Sequence, residues 1–268
     1  MKISIIIPVY NDKHYLGACL KSIEEQTLKP YEVIVVDNNS NDGSVEIASN
    51  YSFVQVVQEP KQGIVFARNT GFEEATGDIL ARIDSDSILP ANWVEKIDKA
   101  FSESPSIKAY TGAPDFYDAP MAGILNVCQV LIYQKLQRLI TGTYMLWGAN
   151  MALRREAWLA VKKNVSSRVD LDEDIDLTLS LHNSGYEIQF DQSLTVKASA
   201  MRGRYGLFKT VSYLSSWPRD YFHHKMYIRG LFVAILSAFF VAITSPLLLF
   251  NDIIGLRYRL TSSHHDQS

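Results

Sequence analysis

The first hundred residues alternate between short apolar, largely β-branched runs and segments of helical periodicity. No other feature limits the fold as much. Ile3–Val9 is nearly all apolar, the pattern of a strand buried on both faces. Asn11 and Asp12 follow as candidate N-caps for a helix carrying Leu16, Leu20 and Ile23 on one stripe. A second strand, Glu32–Val36, ends at Asp37, and the turn-rich stretch Asn38–Ser44 leads into a helix from Val45. Phe53–Val57 reads as a third strand, Ile64–Ala75 as a helix, and Asp78–Ile83 as a fourth strand ending at Asp84-Ser85-Asp86. Pro90 opens another helix with Trp93, Ile97 and Phe101 on one side. This order predicts an α/β fold, a doubly wound and mostly parallel sheet with helices on both faces. Ligands bind such sheets beyond the carboxyl ends of the strands, where Asp37 and the Asp84/Asp86 pair fall.

Composition narrows the class further. Of 268 residues, 26 are Lys or Arg and 29 Asp or Glu, a net charge of −3 that leaves no overall electrostatic footprint for nucleic acid. An apolar fraction of 47% excludes a wholly disordered chain, and a mean hydropathy of −0.03 excludes a polytopic membrane protein. Two cysteines, Cys19 and Cys128, rule out a disulfide framework or a cysteine zinc site and favour a reducing compartment. The apolar start is too short for a signal peptide and is cut by Pro8.

The second half is less regular. Residues 120–141 read as a helix, uncharged from Ala119 through Gln134, either buried or interfacial. Late strands are expected at Tyr186–Phe190 and Leu194–Val196. Beyond Met201, Arg202, Arg204, Lys209, Arg219, Lys225 and Arg229 are opposed only by Asp220. Residues 230–251 carry no charge, and Leu231–Phe250 would span about 30 Å as a helix, enough to cross a bilayer. A buried helix, or an interfacial hairpin bent at Pro246, are the other readings of that segment. With more basic residues before the segment than after it, the positive-inside rule places the preceding body in the cytoplasm, membrane-associated.

Three acidic constellations could carry chemistry. Asp84 and Asp86 project to one side of an extended backbone, as a hard divalent ion bridging to phosphates requires. The same tripeptide is also ordinary loop chemistry. Asp37 is placed to accept from a ribose or base, or to close an Asx-turn. In the run Asp172-Glu173-Asp174-Ile175-Asp176, helical projection puts Asp172, Glu173 and Asp176 on a polar side. Asp174 falls inside the arc of Leu171, Ile175, Leu177, Leu179 and Leu181, where desolvation would suit a general base. Arg68 is a donor to a base or phosphate, or a solvated helix arginine. Neither a dinucleotide-type glycine loop nor a Walker loop occurs.

Together these residues resemble family-2 glycosyltransferases of the GT-A fold over about residues 1–200. The resemblance rests on Ile7-Pro8-Val9-Tyr10-Asn11, Val36 through Ser44, Gly63 with Ala67-Arg68-Asn69 and Gly71, Asp84-Ser85-Asp86, Gly148-Ala149-Asn150 with Arg154-Arg155, and Glu173-Asp174. It implies inverting transfer of a sugar from a nucleoside-diphosphate donor, uridine diphosphate by default, with Mn²⁺ or Mg²⁺ as cofactor. Pro8, Tyr10, Asp37, Arg68 and Asp84 would then bind the nucleotide-sugar and Asp86 the metal. Trp147, Gly148, Asn150 and Glu173 would face the acceptor, with Asp174 as the base. The Gln-x-x-Arg-Trp motif of processive synthases is missing, so single addition is expected. The expected acceptor is a lipid-linked or membrane-proximal glycan of the cell envelope. A catalytically degenerate, membrane-anchored binding or scaffold protein is the rival reading. The implied organisation is a nucleotide-sugar half at 1–113, an acceptor half at 114–200, a basic linker at 201–229, a membrane segment at 230–251 and a tail at 252–268.

Overall fold

The computed structural model describes residues 1–116, 123, 126–127, 129–198 and 207–242. The chain divides into two compact units, residues 1–169 with 173–201, and residues 170–172 with 202–268.

The first unit is built on a seven-stranded sheet. Its strands are β1 (Ile3–Val9), β2 (Glu32–Asp37), β3 (Val54–Gln58), β4 (Ile79–Arg82), β5 (Ile107–Phe116), β6 (Met151–Arg154) and β7 (Glu187–Ala198). They lie in the order β3-β2-β1-β4-β6-β5-β7. Helices α1 (Lys13–Glu24), α2 (Ser44–Ser49), α3 (Ile64–Glu74) and α4 (Trp93–Glu103) connect or follow the early strands. A π-helix at Gln129–Leu136 leads into α5 (Gln137–Thr141), and α6 (Arg155–Val161) and α7 (Glu173–Asn183) complete the unit. One core packs α1 and α4 against one sheet face through Leu16, Leu20, Trp93 and Ile97; the other packs Ala67, Phe72, Trp158 and Leu177 against the opposite face. The sheet is thus covered on both sides, and its strands can be apolar throughout.

The β1–β2, β2–β3, β1–β4 and β5–β7 pairs are parallel, and β6 runs antiparallel to both its neighbours. The chain winds from β1 out to β3 and returns to β4 on the other side of β1, so its direction reverses beside β1, where such sheets open a crevice. Pro8 lies past the last β1–β4 pair, Ile6↔Arg82, where a missing N–H costs the ladder nothing on that side. Gly71 lets α3 approach β1 closely, since a Cβ there would lie 2.3 Å from the Ile6 side chain.

The structure departs from the sequence reading in the later strands. β5 carries Gly112 and Pro114, both punctuation marks in a strand pattern, and β6 has only four residues, so neither stands out. The two late strands expected at 186–190 and 194–196 are one strand, β7, with a register shift opposite Gly112/Ala113.

The second unit contains α8 (Leu207–His223) and a following helix, α9, over residues 227–242. The expected C-terminal membrane segment lies only partly within the described residues. Among the described residues no helix is long and apolar enough to cross a membrane, and residues 243–250 of the expected span lie outside them.

Candidate active site

The carboxyl ends of β1, β2 and β4 carry the residues singled out from the sequence. Val9 sits in register with Asp37, and Ile6 with Arg82. Beyond β1, Asn11 adopts a left-handed backbone at φ 53°, and its side-chain oxygen accepts from the Asn41 N–H at 2.9 Å. The Asp12 N–H donates to Ser44 Oγ at 2.9 Å, so the two loops are clasped together. Asp12 does not cap α1 with its side chain; its carboxylate accepts from the Ser85 hydroxyl and ties the first loop to Asp84-Ser85-Asp86.

Arg82, the last residue of β4, is the centre of the arrangement. It is 1% exposed and faces three carboxylates: its Nη2 lies 3.1 Å from Asp84 Oδ1, and its Nη1 3.1 Å from Glu173 Oε1 and 2.6 Å from Asp174 Oδ1. Burial works against its charge, but Asp174, Asp84 and Glu173 outweigh burial and raise its pKa above the ordinary value. One guanidinium therefore joins the strand-end motif to the first turn of α7, two segments nearly ninety residues apart in sequence.

Asp174 is held from its other side by the Gly148 N–H, which donates to Oδ2 at 2.6 Å. Only glycine fits at 148, because a Cβ would lie 2.1 Å from Arg82 Nη1 and 2.7 Å from Asp174 Oδ2. Thr178 Oγ1 donates to the Asp174 carbonyl at 2.7 Å and accepts from the Leu146 N–H at 2.9 Å. From the π-helix, Tyr133 donates to the Leu146 carbonyl and Gln134 brackets the Met145 backbone. The loop bearing Gly148 is thereby fixed relative to Asp174 from both directions. Trp147 is partly exposed and packs edge-on to Phe116.

Asp37 is buried at the end of β2 and accepts from the Ser40 N–H at 3.2 Å, the Asx-turn half of its two sequence readings. Asn38 holds residues 59–63 against this loop: its amide donates to the Glu59 and Lys61 carbonyls, and its oxygen accepts from the Gly63 N–H at 2.7 Å. Tyr10 is 51% exposed just past β1, open to a planar ligand. Arg68 is no solvated helix arginine. It is fully buried and donates to the Glu173 carbonyl at 2.6 Å and to Asn69 Oδ1. Burial lowers its pKa, with Glu173 offsetting part of that effect and Arg82 adding to it. The expected direct contact of Arg68 with a base or phosphate is therefore not what its surroundings show; it anchors the backbone at Glu173.

Three corrections follow from burial. Asn150, expected to face the acceptor, is fully buried; it accepts from Trp93 Nε1 at 2.9 Å and donates to the Leu194 carbonyl at 2.7 Å in the irregular part of β7. Asp176, expected on a polar face, is 1% exposed and accepts from the Ser166 N–H at 2.7 Å. Residues 175–181 are all buried, so this part of α7 has no solvent face for a projection to find. Asp174 itself sits in an ionic setting beside Arg82 rather than isolated in an apolar arc. Arg82 was missed altogether. Spacing pointed to it in part, since 82 and 84 project to one side of an extended backbone, but β4 ends at Arg82 and a turn follows, its Ser87 N–H bonded to the Asp84 carbonyl at 3.0 Å.

The donor set suits a hard divalent cation. Asp84 and Asp86 offer only oxygen ligands, and among the described residues no group of three or more His, Cys, Asp or Glu could hold a metal alone. A cation here would need phosphate and water oxygens to complete its shell, which is how Mg²⁺-type sites on diphosphates are built. Cys19, next to both aspartates, is fully buried. Burial, then the Asp86 and Asp84 charges, push its thiol pKa up and keep it protonated.

The family model for Glycosyl transferase family 2 matches residues 4–158. The glycosyltransferase AglE of Haloferax volcanii is 41% identical over 101 residues, which are 35% of this chain and 33% of that protein. An uncharacterized glycosyltransferase of Haemophilus influenzae is 30% identical over 183 residues, 67% of this chain and 61% of that protein. The matched region is therefore less than two thirds of the length of these relatives. Among solved structures, the mannosyltransferase PcManGT from Pyrobaculum calidifontis, in complex with GDP-Man and Mn²⁺, aligns with a TM-score of 0.64 at 18% identity, over 98% of this chain and 83% of that one. S. aureus TarS 1-349 in complex with UDP-GlcNAc aligns with a TM-score of 0.59 at 17% identity, over 87% of this chain and 73% of that one. These alignments show a shared GT-A fold, and with the family model matching more than half of its residues, the chain belongs to glycosyl transferase family 2.

Proposed function

We propose that the protein transfers a single sugar from a nucleoside-diphosphate sugar to an acceptor hydroxyl with inversion. The observation that carries this reading is the Arg82 junction, which gathers Asp84, Glu173 and Asp174 at the carboxyl edge of the sheet. A donor site and an acceptor site must meet within bonding distance of one anomeric carbon, and this junction links the residues assigned to each.

In this reading Asp37 and Tyr10 receive the nucleoside, Asp84 approaches the ribose, and Asp86 would hold a divalent cation on the diphosphate. When bound, that cation supplies positive charge against the charge developing on the departing diphosphate. Arg82 and the Gly148 N–H orient the two oxygens of Asp174. As the acceptor oxygen bonds to the anomeric carbon, its proton passes to Asp174. The bond from that carbon to the diphosphate oxygen breaks on the opposite side, its electron pair leaving with the diphosphate. Glu173 shares the Arg82 charge and borders the acceptor. Intact carboxylates at 84, 86 and 174 disfavour a degenerate scaffold.

We take the acceptor to be lipid-linked or membrane-proximal, on the uncharged stretch 119–134 and the basic stretch 202–229. The test is a thermal-shift screen of UDP- and GDP-sugars with and without Mn²⁺, followed by mass spectrometry of polyprenyl-linked and water-soluble acceptors. Metal-dependent stabilisation by one donor, and product formation lost in Asp174→Asn, are expected. Product from Asp174→Asn at the wild-type rate would exclude the assigned base.

A further inference from the structure

The exposed face of α9 is the reverse of what water selects. Tyr227, Ile228, Leu231, Phe232, Ile235 and Phe239 are between 59% and 77% exposed. At about 100° per residue, the six fall within one arc of roughly 140° that contains no charged side chain. Val233 and Ser237 are buried on the opposite side, and so is Gly230, where a Cβ would lie 2.7 Å from the Phe222 ring. A helix of a water-soluble unit normally turns its polar arc outward. Here the inward arc holds the small residues and the outward arc the large apolar ones.

Between residues 219 and 229 the charged side chains that solvent reaches are basic. Arg219 and Lys225 are exposed just before α9, and Arg229 lies in its first turn. The sole acid among them, Asp220, is fully buried and accepts from the Asp172 N–H. What solvent meets is an apolar helix face with a basic border.

We propose that α9 lies in the plane of an anionic bilayer surface, its apolar arc among the acyl chains and Arg219, Lys225 and Arg229 against the headgroups. The apolar arc covers one side of α9 only, with Gly230, Val233 and Ser237 buried on the other, the pattern of a helix lying along a surface. Charge complementarity selects lipid over a second copy of the chain, since two copies would bring like charges together at the rim. The inference is independent of sugar transfer.

The test is vesicle flotation of the full chain without donor or acceptor, on phosphatidylcholine alone and with phosphatidylglycerol added. Wild type should float with the anionic vesicles and far less with the neutral ones. Phe232→Asp/Ile235→Asp should lose flotation while its circular-dichroism melting curve is retained, because both side chains are exposed. Arg219→Glu/Lys225→Glu, which leaves the apolar arc intact, should weaken partition to anionic vesicles roughly fivefold per charge or more. Alkaline carbonate should release the protein. Equal flotation of wild type and both variants, or none by wild type, overturns the proposal, as does a dimer in light scattering that only Phe232→Asp/Ile235→Asp dissolves. Retention through carbonate overturns the in-plane placement.

Discussion

Arg82 Nη1 lies 2.6 Å from Asp174 Oδ1, joining the last residue of β4 to the first turn of α7. The pair neutralises a carboxylate that would otherwise be costly at this depth, and it fixes the orientation of that carboxylate. Removing a buried cation from among three carboxylates leaves them uncompensated, at a cost of about 3–5 kcal/mol. Arg82→Met is therefore expected to lower the unfolding free energy by that amount in denaturant titration. Arg82→Lys keeps the charge but not the planar fork, so it should fold and lose roughly 10- to 100-fold in turnover with little change in donor affinity. Full turnover in Arg82→Lys would argue that charge alone matters.

Asp174→Asn keeps shape and hydrogen bonding but cannot take a proton. Turnover should fall about 10²- to 10⁴-fold while donor affinity by calorimetry stays near wild type. Asp172→Asn is the matching control. Asp176→Asn is not a control, because Asp176 is buried and bonded to the Ser166 N–H, and the change should cost about 1–3 kcal/mol of stability.

Asp86→Ala should remove the Mn²⁺ dependence of donor binding, and chelation of wild type should produce the same loss. Asp37→Ala should weaken donor binding while the ratio of affinities with and without Mn²⁺ is kept. Calorimetry separates the two, and an unchanged metal effect in Asp86→Ala would remove Asp86 from the metal site.

Gly148→Ala places a methyl against Arg82 and Asp174, both fixed by other bonds. Loss of most activity is expected, with destabilisation of about 1–3 kcal/mol from overpacking. An active, stable Gly148→Ala enzyme would mean that the loop shifts freely.

Glu32, at the start of β2, accepts from Ser4 Oγ at 2.6 Å and from the Thr76 and Gly77 backbone. Burial alone would raise its pKa, but these hydrogen bonds outweigh it and hold the carboxyl below the ordinary glutamate value. A depressed folded-state pKa contributes stability above the unfolded value and loses it as pH falls through the folded value. Glu32→Gln should therefore be less stable than wild type by about 1 kcal/mol at neutral pH. The two proteins should converge in acid, below the wild-type folded pKa. A constant difference across the whole pH range would contradict this linkage.

The parallel half of the fold was legible because each element there reports on itself. Ile3–Val9 is apolar enough to be a strand in any context that buries both faces, and Asp37 and Asp84 mark where strands stop. β5 and β6 were not legible, since Gly112 and Pro114 speak against a strand until Asn150 and the irregular part of β7 are seen to hold them in place. The same division runs through the site. Asp84, Asp86 and Asp174 could be chosen from residue type and spacing, and Glu173 from the family resemblance. Three things depended on tertiary structure: Arg82 as their common partner, Gly148 as the residue that leaves room for it, and Asp176 as an internal anchor. Burial and ion pairing are properties of the surroundings, and a chain's periodicity records one face of a helix without recording how many neighbours surround it.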